Sequence, residues 1–307
     1  MAAISIQSAR QGFTLIEILL TLALAAFVLA ISIALYQYAK QAYIDNGAQL
    51  RVTEKLIASK RIFSETLNGS IKSCSAAPTR LSLVNSTQLW LQAGASAVEI
   101  YPGQNNISSF KRVGDKIGER DIDSDVLLLR AARLPATSLV AHSIENNKFI
   151  AQNSIGLTRS GLAIVCDENA AVVFQVAYTT GRHIHYAGGG IAPGNCANAF
   201  SDERCGGSYR FAKGALLAHY TPTIFYIANS HAGPALYRQK PIIFRRHGNR
   251  RLSMRAQELV SGIMRLHAAA DFSPSKQNNG LALQLTIAKD AHSRSDHYET
   301  YMYTLPL

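Results

Sequence analysis

Gly12–Tyr38 reads GFTLIEILLTLALAAFVLAISIALYQY, and this stretch decides how the rest of the chain can fold. Glu17 is its only charged residue. As a helix rising about 1.5 Å per residue, Phe13 to Leu35 would be roughly 35 Å long, enough to cross a bilayer core of about 30 Å. The sequence therefore predicts a helix that can lie in a membrane, followed by a large body.

Glu17 distinguishes this stretch from an ordinary membrane anchor and from a cleaved secretory signal. A carboxylate near the start of an apolar span is costly, so it indicates a functional site. The leader has one basic residue, Arg10, and no small-residue cleavage site closes the apolar run as it does in secretory signals. Instead Gly12 precedes the run, and Glu17 is the fifth residue after it. A plain anchor with one stray glutamate stays the alternative.

Residues 10–17, RQGFTLIE, resemble the class III signal of type IV pilins and type II secretion pseudopilins. The resemblance implies that residues 1–12 are a leader, cut after Gly12 by a membrane-embedded prepilin peptidase, and that the new amino terminus at Phe13 is methylated. It also implies a role for Glu17 in filament assembly, where its carboxylate neutralises the terminal amine of a neighbouring subunit. Two opposite charges in apolar surroundings are tolerable only when they are paired.

The helix is predicted to have a membrane half, residues 13–38, and an amphipathic half, residues 39–68. No proline interrupts Phe13 to Ala77, and Asn68-Gly69-Ser70 is typical of a helix end. In pilins this second half packs against the globular domain. Apolar residues recur at the spacing of one helical face: Tyr43, Ile44, Ala48, Val52, Leu56, Ile57, Phe63 and Leu67.

Residues 69–307 are predicted to form a globular, β-rich domain. Short apolar and aromatic runs separated by turn residues indicate strands. The candidates are Arg80–Val84, Gln88–Leu91, Ala97–Tyr101, Asp125–Arg130, Gly161–Cys166, Ala171–Tyr178, Leu216–Tyr220, Thr223–Ala228, Ala235–Arg238, Ile242–Arg246, Glu258–Ala269, Leu281–Ala288 and Tyr298–Leu305. Long loops are expected at Gly103–Asp123, Gly181–Gly214 and Phe272–Gly280. The predicted class is α+β: one long N-terminal helix packed on a large antiparallel sheet, as in type IV pilins.

Composition places the chain among globular proteins. Apolar residues make up 48% and charged residues 17%, which is too apolar for a disordered chain. The net charge of +11 permits attraction to anionic lipid, DNA or cell-surface polymers without proving any of them.

The cysteine count predicts disulfides, because four cysteines in a translocated domain tend to pair. Cys196 and Cys205 lie close together in a loop rich in Gly, Asn and Ser, so we favour that bond. Cys74 and Cys166 would then form the long-range bond. Free buried thiols are the alternative.

A basic cluster surrounds a predicted hairpin turn at residues 247–249. The arginines beside the turn are Arg245, Arg246, Arg250 and Arg251. They are candidate DNA contacts, because arginines bind phosphates. A docking surface for acidic partner pilins and a solvated face are the alternatives.

The tests for a metal or an enzyme are negative in the sequence. Asp121, Asp123 and Asp125 alternate as calcium ligands do, but neither the glycine nor the final glutamate of a calcium loop follows. His183 and His185 would share one face of a strand without further ligands nearby. The glycine run at 188–190 lacks the Lys-Ser/Thr of a phosphate loop. We expect no cofactor and no enzymatic activity, with a solvated acidic turn as the better explanation of the three aspartates.

The body resembles PilW-type minor pilins, the large members of the pilus set. Strings similar in kind and order are residues 124–130, 161–167, 171–176, 224–228, 234–238 and 258–266. That family often continues with a Tyr-Gly-Val-Asp-like run, where this chain has HAAAD at 267–271.

The resemblance implies a minor pilin that primes or caps a type IV pilus, with consequences for cell adhesion and twitching motility. Its partners would be other minor pilins, the major pilin, prepilin peptidase and the inner membrane, with DNA or a host surface as a further ligand. The chain would cross the inner membrane once, with its body in the periplasm, and then move to the pilus at the cell surface. The alternatives are a type II secretion pseudopilin and a pilus-tip adhesin or DNA-binding subunit.

Overall fold

The computed structural model describes residues 14–68, 74, 77–86, 88–92, 97–104, 110–187, 192–196, 200, 209–246, 249–271, 280–288 and 298–306. The chain divides into two compact units, Met1–Arg51 and Val52–Leu307.

One helix, α1, runs from Leu15 to Asn68. It spans 54 residues, and it confirms the expected single long N-terminal helix. Gly47 lies within it without ending it. The helix up to Arg51 belongs to the first unit, and the helix from Val52 to Asn68 belongs to the second unit.

The second unit contains a 3₁₀ turn at Leu89–Leu91 and fourteen strands in the described residues. The strands are β1 Thr79–Ser82, β2 Val98–Tyr101, β3 Val126–Ser143, β4 Lys148–Ala151, β5 Leu162–Cys166, β6 Ala170–Gln175, β7 Tyr178–Thr180, β8 His183–His185, β9 Leu216–Ser230, β10 Gly233–Arg246, β11 Asn249–Ser261, β12 Ile263–Asp271, β13 Gly280–Ala288 and β14 Tyr298–Pro306.

Eleven of these strands form one large sheet, and β3 and β9 are its long central members. Its main path is β1-β6-β5-β9-β3-β4-β8-β7, with β10 and β11 branching from β9, and β2 pairing with β3. All pairs are antiparallel except β1 with β6, which is parallel. A second sheet has three antiparallel strands in the order β12-β13-β14. The sequence left open whether the body holds one sheet or two, and the described strands form two.

The helix from Val52 onward packs on the body. Val52 and Phe63 are fully buried in a cluster with Phe225 of β9, Leu236 of β10 and Leu283 of β13. From Val52 onward one helical face is buried against apolar residues of both sheets, as the α+β prediction required. The prediction was wrong for Tyr43, Ile44 and Ile57, which are exposed.

Several strand predictions were too short because proline does not end these strands. Pro135 lies in β3 at a register shift between Arg133 and Ala136, where a bulge accommodates it. Pro222 lies within β9. Pro241 lies in β10 beyond Gln239, where β10 has already left β9. Runs predicted as separate strands are therefore continuous.

Other predictions were wrong in type. The predicted strand Gln88–Leu91 is a 3₁₀ turn at Leu89–Leu91 instead. The predicted strand Glu258–Ala269 is two strands, because the chain turns at Gly262 with a left-handed φ of 75° that glycine readily adopts. β4 was missed, and β8 lies inside the predicted loop Gly181–Gly214. Residues 272–279 of the third predicted loop lie outside the described residues.

Candidate functional site at the helix N-terminus

Thr14 and Glu17 form a reciprocal cap at the start of α1. The Thr14 backbone N–H and hydroxyl donate to Glu17 Oε2 at 3.0 and 3.1 Å. The Glu17 N–H donates back to Thr14 Oγ1 at 3.4 Å, and the Ile18 N–H donates to the Thr14 carbonyl at 3.3 Å. This is a capping box, and the helix dipole favours a carboxylate at this end. Glu17 is thus held at the first turn by its own chain.

The helix that follows Glu17 exposes its apolar side chains all round. Leu22, Phe27 and Leu35 are 68%, 65% and 64% exposed. By length and composition the helix can cross a membrane. Its polar residues agree with this: Thr21 Oγ1 donates to the Ile18 carbonyl at 2.9 Å, and Ser32 Oγ to the Val28 carbonyl at 2.8 Å. Such a surface needs lipid or partner helices to cover it.

The predicted processing residues, Gly12 and Phe13, lie outside the described residues. Cleavage after Gly12 would place a new amine one residue before Thr14. The capped carboxylate of Glu17 is therefore held at the same helix end as the predicted terminus, and its exposed position leaves room for a partner.

A disulfide joins the segment after the helix to the large sheet. Cys74 bonds Cys166 at the end of β5, with an S–S distance of 1.99 Å and a Cα–Cα distance of 5.3 Å. This is the long-range pair that the sequence favoured. Cys196 is also disulfide-bonded, and Cys205 lies outside the described residues.

The basic cluster lies on a hairpin, as the turn signals indicated. Arg245 pairs with Arg250 in the β10–β11 register, and Arg246 pairs with Asn249. Arg251 is exposed and lies opposite Phe244. The side chains of Arg245, Arg246 and Arg250 lie outside the described part of the structure.

The three aspartates Asp121, Asp123 and Asp125 are close in sequence, but each contacts a different partner in the structure. Asp121 Oδ2 accepts a hydrogen bond from Ser124 Oγ at 2.6 Å. Asp123 pairs with Arg265 at 3.5 Å, and Asp125 accepts the Ala268 N–H at 3.0 Å. These contacts explain the acidic turn as a tie between the start of β3 and the β12 strand. No group of three or more His, Cys, Asp or Glu residues suited to a metal occurs in the described residues.

His183 and His185 lie on β8 and share a face, with Ile184 buried on the other side. The His185 ring stacks on Tyr178 with centroids 4.0 Å apart. Burial, Lys148 and His183 lower the pKa of His185. The glycine run at 188–190 lies outside the described residues.

A buried histidine was missed. His142 accepts the Phe211 N–H on Nδ1 at 3.2 Å, so its proton is on Nε2, which lies 2.8 Å from the Tyr186 hydroxyl. Its ring centroid is 4.5 Å from that of Phe149 and 4.7 Å from that of Phe200. Burial, and secondarily Arg210, lower the pKa of His142 to about 4. Histidine and aromatic residues scattered over 70 positions gave no local pattern that could have revealed this cluster.

A buried ion pair was also missed. Arg130 of β3 lies 2.5 Å from Glu99 of β2, and the arginine side chain is only 3% exposed. Arg130 also donates to the carbonyls of Gln92, at 3.1 Å, and Leu89, at 3.0 Å. The Glu99 carboxylate in turn accepts the Tyr101 hydroxyl. This network ties the 3₁₀ segment to the sheet.

Comparison with known protein families finds a match at the N-terminus of the chain. The family model described as the prokaryotic N-terminal methylation motif matches residues 7–33, which include Gly12, Phe13 and Glu17. No curated protein and no solved structure matches the chain. The matched motif, the long apolar helix and the antiparallel-rich body together support a type IV pilin-like or pseudopilin-like protein that is a substrate of prepilin peptidase.

Proposed function

We propose that this chain is a minor pilin of a type IV pilus, a structural subunit that primes or caps pilus assembly. The observation that carries the proposal is the carboxylate of Glu17 on an apolar helix that nothing in its own unit covers. In a filament, packing between such helices would bury this carboxylate, and a buried carboxylate needs a charged partner. The amine of a neighbouring subunit would be that partner.

Processing would proceed in a fixed order. Prepilin peptidase cuts after Gly12, and the amine of Phe13 is methylated while the apolar helix lies in the inner membrane. The helix then leaves the membrane for a bundle of partner helices, so that lipid contacts are replaced by packing between helices. The body would pass from the periplasm to the pilus at the cell surface.

The size of the body favours a terminal position over a position in the shaft. The described part of residues 52–307 holds two sheets and three buried apolar clusters. A repeating shaft leaves little room for such volume around each helix. A tip position would contact other minor pilins on one side and the major pilin below. The strings that resemble PilW-type pilins lie in β3, β5, β6, β9 and β10, and where β11 ends and β12 begins.

Two measurements test the proposal. Mass analysis of the mature protein should find an amino terminus at methylated Phe13. Deletion of the gene should reduce the number of pili on cells and twitching motility, while secretion of type II substrates continues. Lost secretion with normal pili would instead identify a type II pseudopilin and overturn the proposal.

A further inference from the structure

The β10–β11 hairpin carries an unbalanced positive charge. Residues 238–255 hold seven arginines and lysines and no aspartate or glutamate. β10 pairs with β9 only from Gly233 to Gln239, whereas it pairs with β11 as far as Arg246. From Lys240 onward the hairpin is therefore a two-stranded ribbon that has left the sheet. We call residues 238–246 and 249–255 the basic ribbon.

The strand register places most of the basic residues on one face of the basic ribbon, while Arg245 and Arg250 fall at register positions of the other face. Lys240 lies opposite Arg255, and two residues further along each strand Ile242 lies opposite Ser253. Successive side chains alternate between faces, so the residues two apart share a side. Four cations with described side chains lie on this face: Arg238, Lys240, Arg251 and Arg255.

The other face of the basic ribbon is anchored. Leu252 and Met254 pack against the apolar cluster that contains Trp90 and Tyr237. The Leu252 N–H donates to the Ala192 carbonyl at 3.3 Å. Since the apolar face is held by the core, the basic face points away from that cluster.

These cations have no carboxylate partner among the described residues, which distinguishes them from the paired arginines elsewhere. Arg238 donates to the Gln257 amide at 2.9 Å. Lys240 and Arg255 face each other directly across the strands, where like charges are destabilising. A face built of opposed cations is stabilised when an anion binds between them.

Arg133 of β3 adds to this positive field. Its Nη2 donates to the Thr66 carbonyl at 3.1 Å, while its Nε is buried without a hydrogen-bond partner. Burial, Arg238 and Arg133 lower the pKa of Lys240 to about 8. The positive potential is thus concentrated where the basic ribbon leaves the sheet.

We propose that the basic ribbon binds the phosphate backbone of duplex DNA. Seven residues from Lys240 to Arg246 extend for about 20 Å at about 3.4 Å per residue. The major groove of DNA admits a two-stranded ribbon, and cations on one face can then reach the phosphates beside it. A linear polyanion fits a linear row of cations better than a single small anion does. Contacts to phosphates carry no sequence information, so binding is independent of base sequence. DNA binding by the basic ribbon does not require that the chain is a minor pilin.

The test uses the full chain in neutral detergent and a fluorescent 30-base-pair duplex, with anisotropy measured over a series of salt concentrations. Four cations predict a slope of log K against log salt of about −3 to −4, because each neutralised phosphate contributes about −0.9. The double variant K240Q/R255Q should reduce the slope by about 2 and weaken binding at least tenfold at low salt. The variant K240R/R255K, which keeps both charges, should bind as the wild type does.

K111Q/R112Q is the matched control, because it removes two exposed cations from another part of the body. It should leave the slope unchanged. If K111Q/R112Q and K240Q/R255Q lost the same affinity for the duplex, binding would depend only on net charge and the proposed site would be wrong. The second arm uses vesicles without detergent and compares phosphatidylglycerol with phosphatidylcholine, because the apolar helix can insert into both lipids. A preference for phosphatidylglycerol that K240Q/R255Q weakens more than it weakens duplex binding would make this a lipid surface and overturn the DNA assignment. Thermal melting of each variant checks that the fold is kept.

Discussion

The ring of Phe63 on α1 lies 4.6 Å, centroid to centroid, from the ring of Phe225 on β9. Both side chains are fully buried. Since β9 is a central strand of the large sheet, this contact attaches the helix from Val52 onward to the middle of the body. Near its end the helix is therefore part of the body's core.

Phe63→Ala should lower the free energy of unfolding of the body by about 3–5 kcal/mol, because a large buried ring is lost and a cavity is left. Urea unfolding in detergent can be followed by the fluorescence of Trp90, the only tryptophan, which is buried. Ile57→Ala is the control on the same helix, since Ile57 is 61% exposed, and it should change stability by no more than about 0.5 kcal/mol. Similar losses in both variants would show that the helix is not anchored through Phe63.

The helix could be predicted from the sequence because its signals are local. The apolar run, the absence of proline and the spacing of Val52 and Phe63 all lie within one continuous element. The offsets of Gly12, Phe13 and Glu17 are local too, which is why a family model finds the same motif. The capping of Thr14 by Glu17 needs only three residues of separation.

The body was predicted less well because its decisive contacts join distant residues. Pairing of β3 with β9 brings together residues about 90 positions apart, and no local pattern encodes that register. The predicted strands wrongly end before Pro222 and Pro241. Proline disrupts a strand only where its missing N–H would have bonded a neighbouring strand, and the sequence does not show which side of a strand is paired. The opposed cations Lys240 and Arg255 likewise emerge only from the hairpin register.

Removal of the Cys74–Cys166 disulfide should lower stability by about 4–5 kcal/mol, because the bond closes a loop of 92 residues. The double variant Cys74→Ala/Cys166→Ala is preferable to a reductant, since Cys196 is also disulfide-bonded. Urea unfolding of the variant, again followed by Trp90 fluorescence, measures the loss. A midpoint equal to that of the wild type would mean that the bond does not constrain the unfolded chain.

Acid should destabilise the body through His142. The folded pKa of about 4 lies below the ordinary value of 6.5, so the fold requires the neutral ring. The stability from this group is complete above pH 6.5 and falls as the pH drops toward 4, by about 3 kcal/mol at most. Protonation of Nδ1 would break the hydrogen bond from the Phe211 N–H. Unfolding free energies measured between pH 7 and pH 4 should show the decline.

His142→Asn separates this titration from other acid effects. The asparagine amide oxygen can accept the Phe211 N–H, yet it does not titrate, so the decline should flatten although stability at pH 7 is lower. His231→Asn, at an exposed histidine, should keep the wild-type slope. An unchanged slope in His142→Asn would assign the acid sensitivity to another group.

The buried pair of Arg130 and Glu99 should behave as one unit. Glu99→Leu leaves a buried guanidinium without its carboxylate and should cost about 3–5 kcal/mol. Adding Arg130→Met should recover part of that loss, because the unpaired charge is removed. A double-mutant cycle on urea unfolding measures the coupling. Strictly additive losses would show that the two charges do not depend on each other.

Glu17 should be required for assembly and not for insertion. Glu17→Ala should still reach the inner membrane and be processed, because the apolar span is intact. It should be depleted from purified pili, because the carboxylate that we propose to pair with a neighbour's amine is gone. Quantitative immunoblotting of membrane and pilus fractions measures both. Ser32→Ala, which removes another polar group from the same span, is the control and should assemble normally.

Two further variants separate the charge of Glu17 from its capping role. Glu17→Gln keeps an oxygen that can accept the Thr14 N–H but removes the charge, whereas Thr14→Ala removes the hydroxyl of the cap and keeps the charge. If pairing with an amine is the function, Glu17→Gln fails to enter pili and Thr14→Ala enters them. If instead Glu17→Gln enters pili and Thr14→Ala does not, Glu17 acts as a helix cap. Assembly would then require a well-ordered first turn of the helix and not the charge of Glu17.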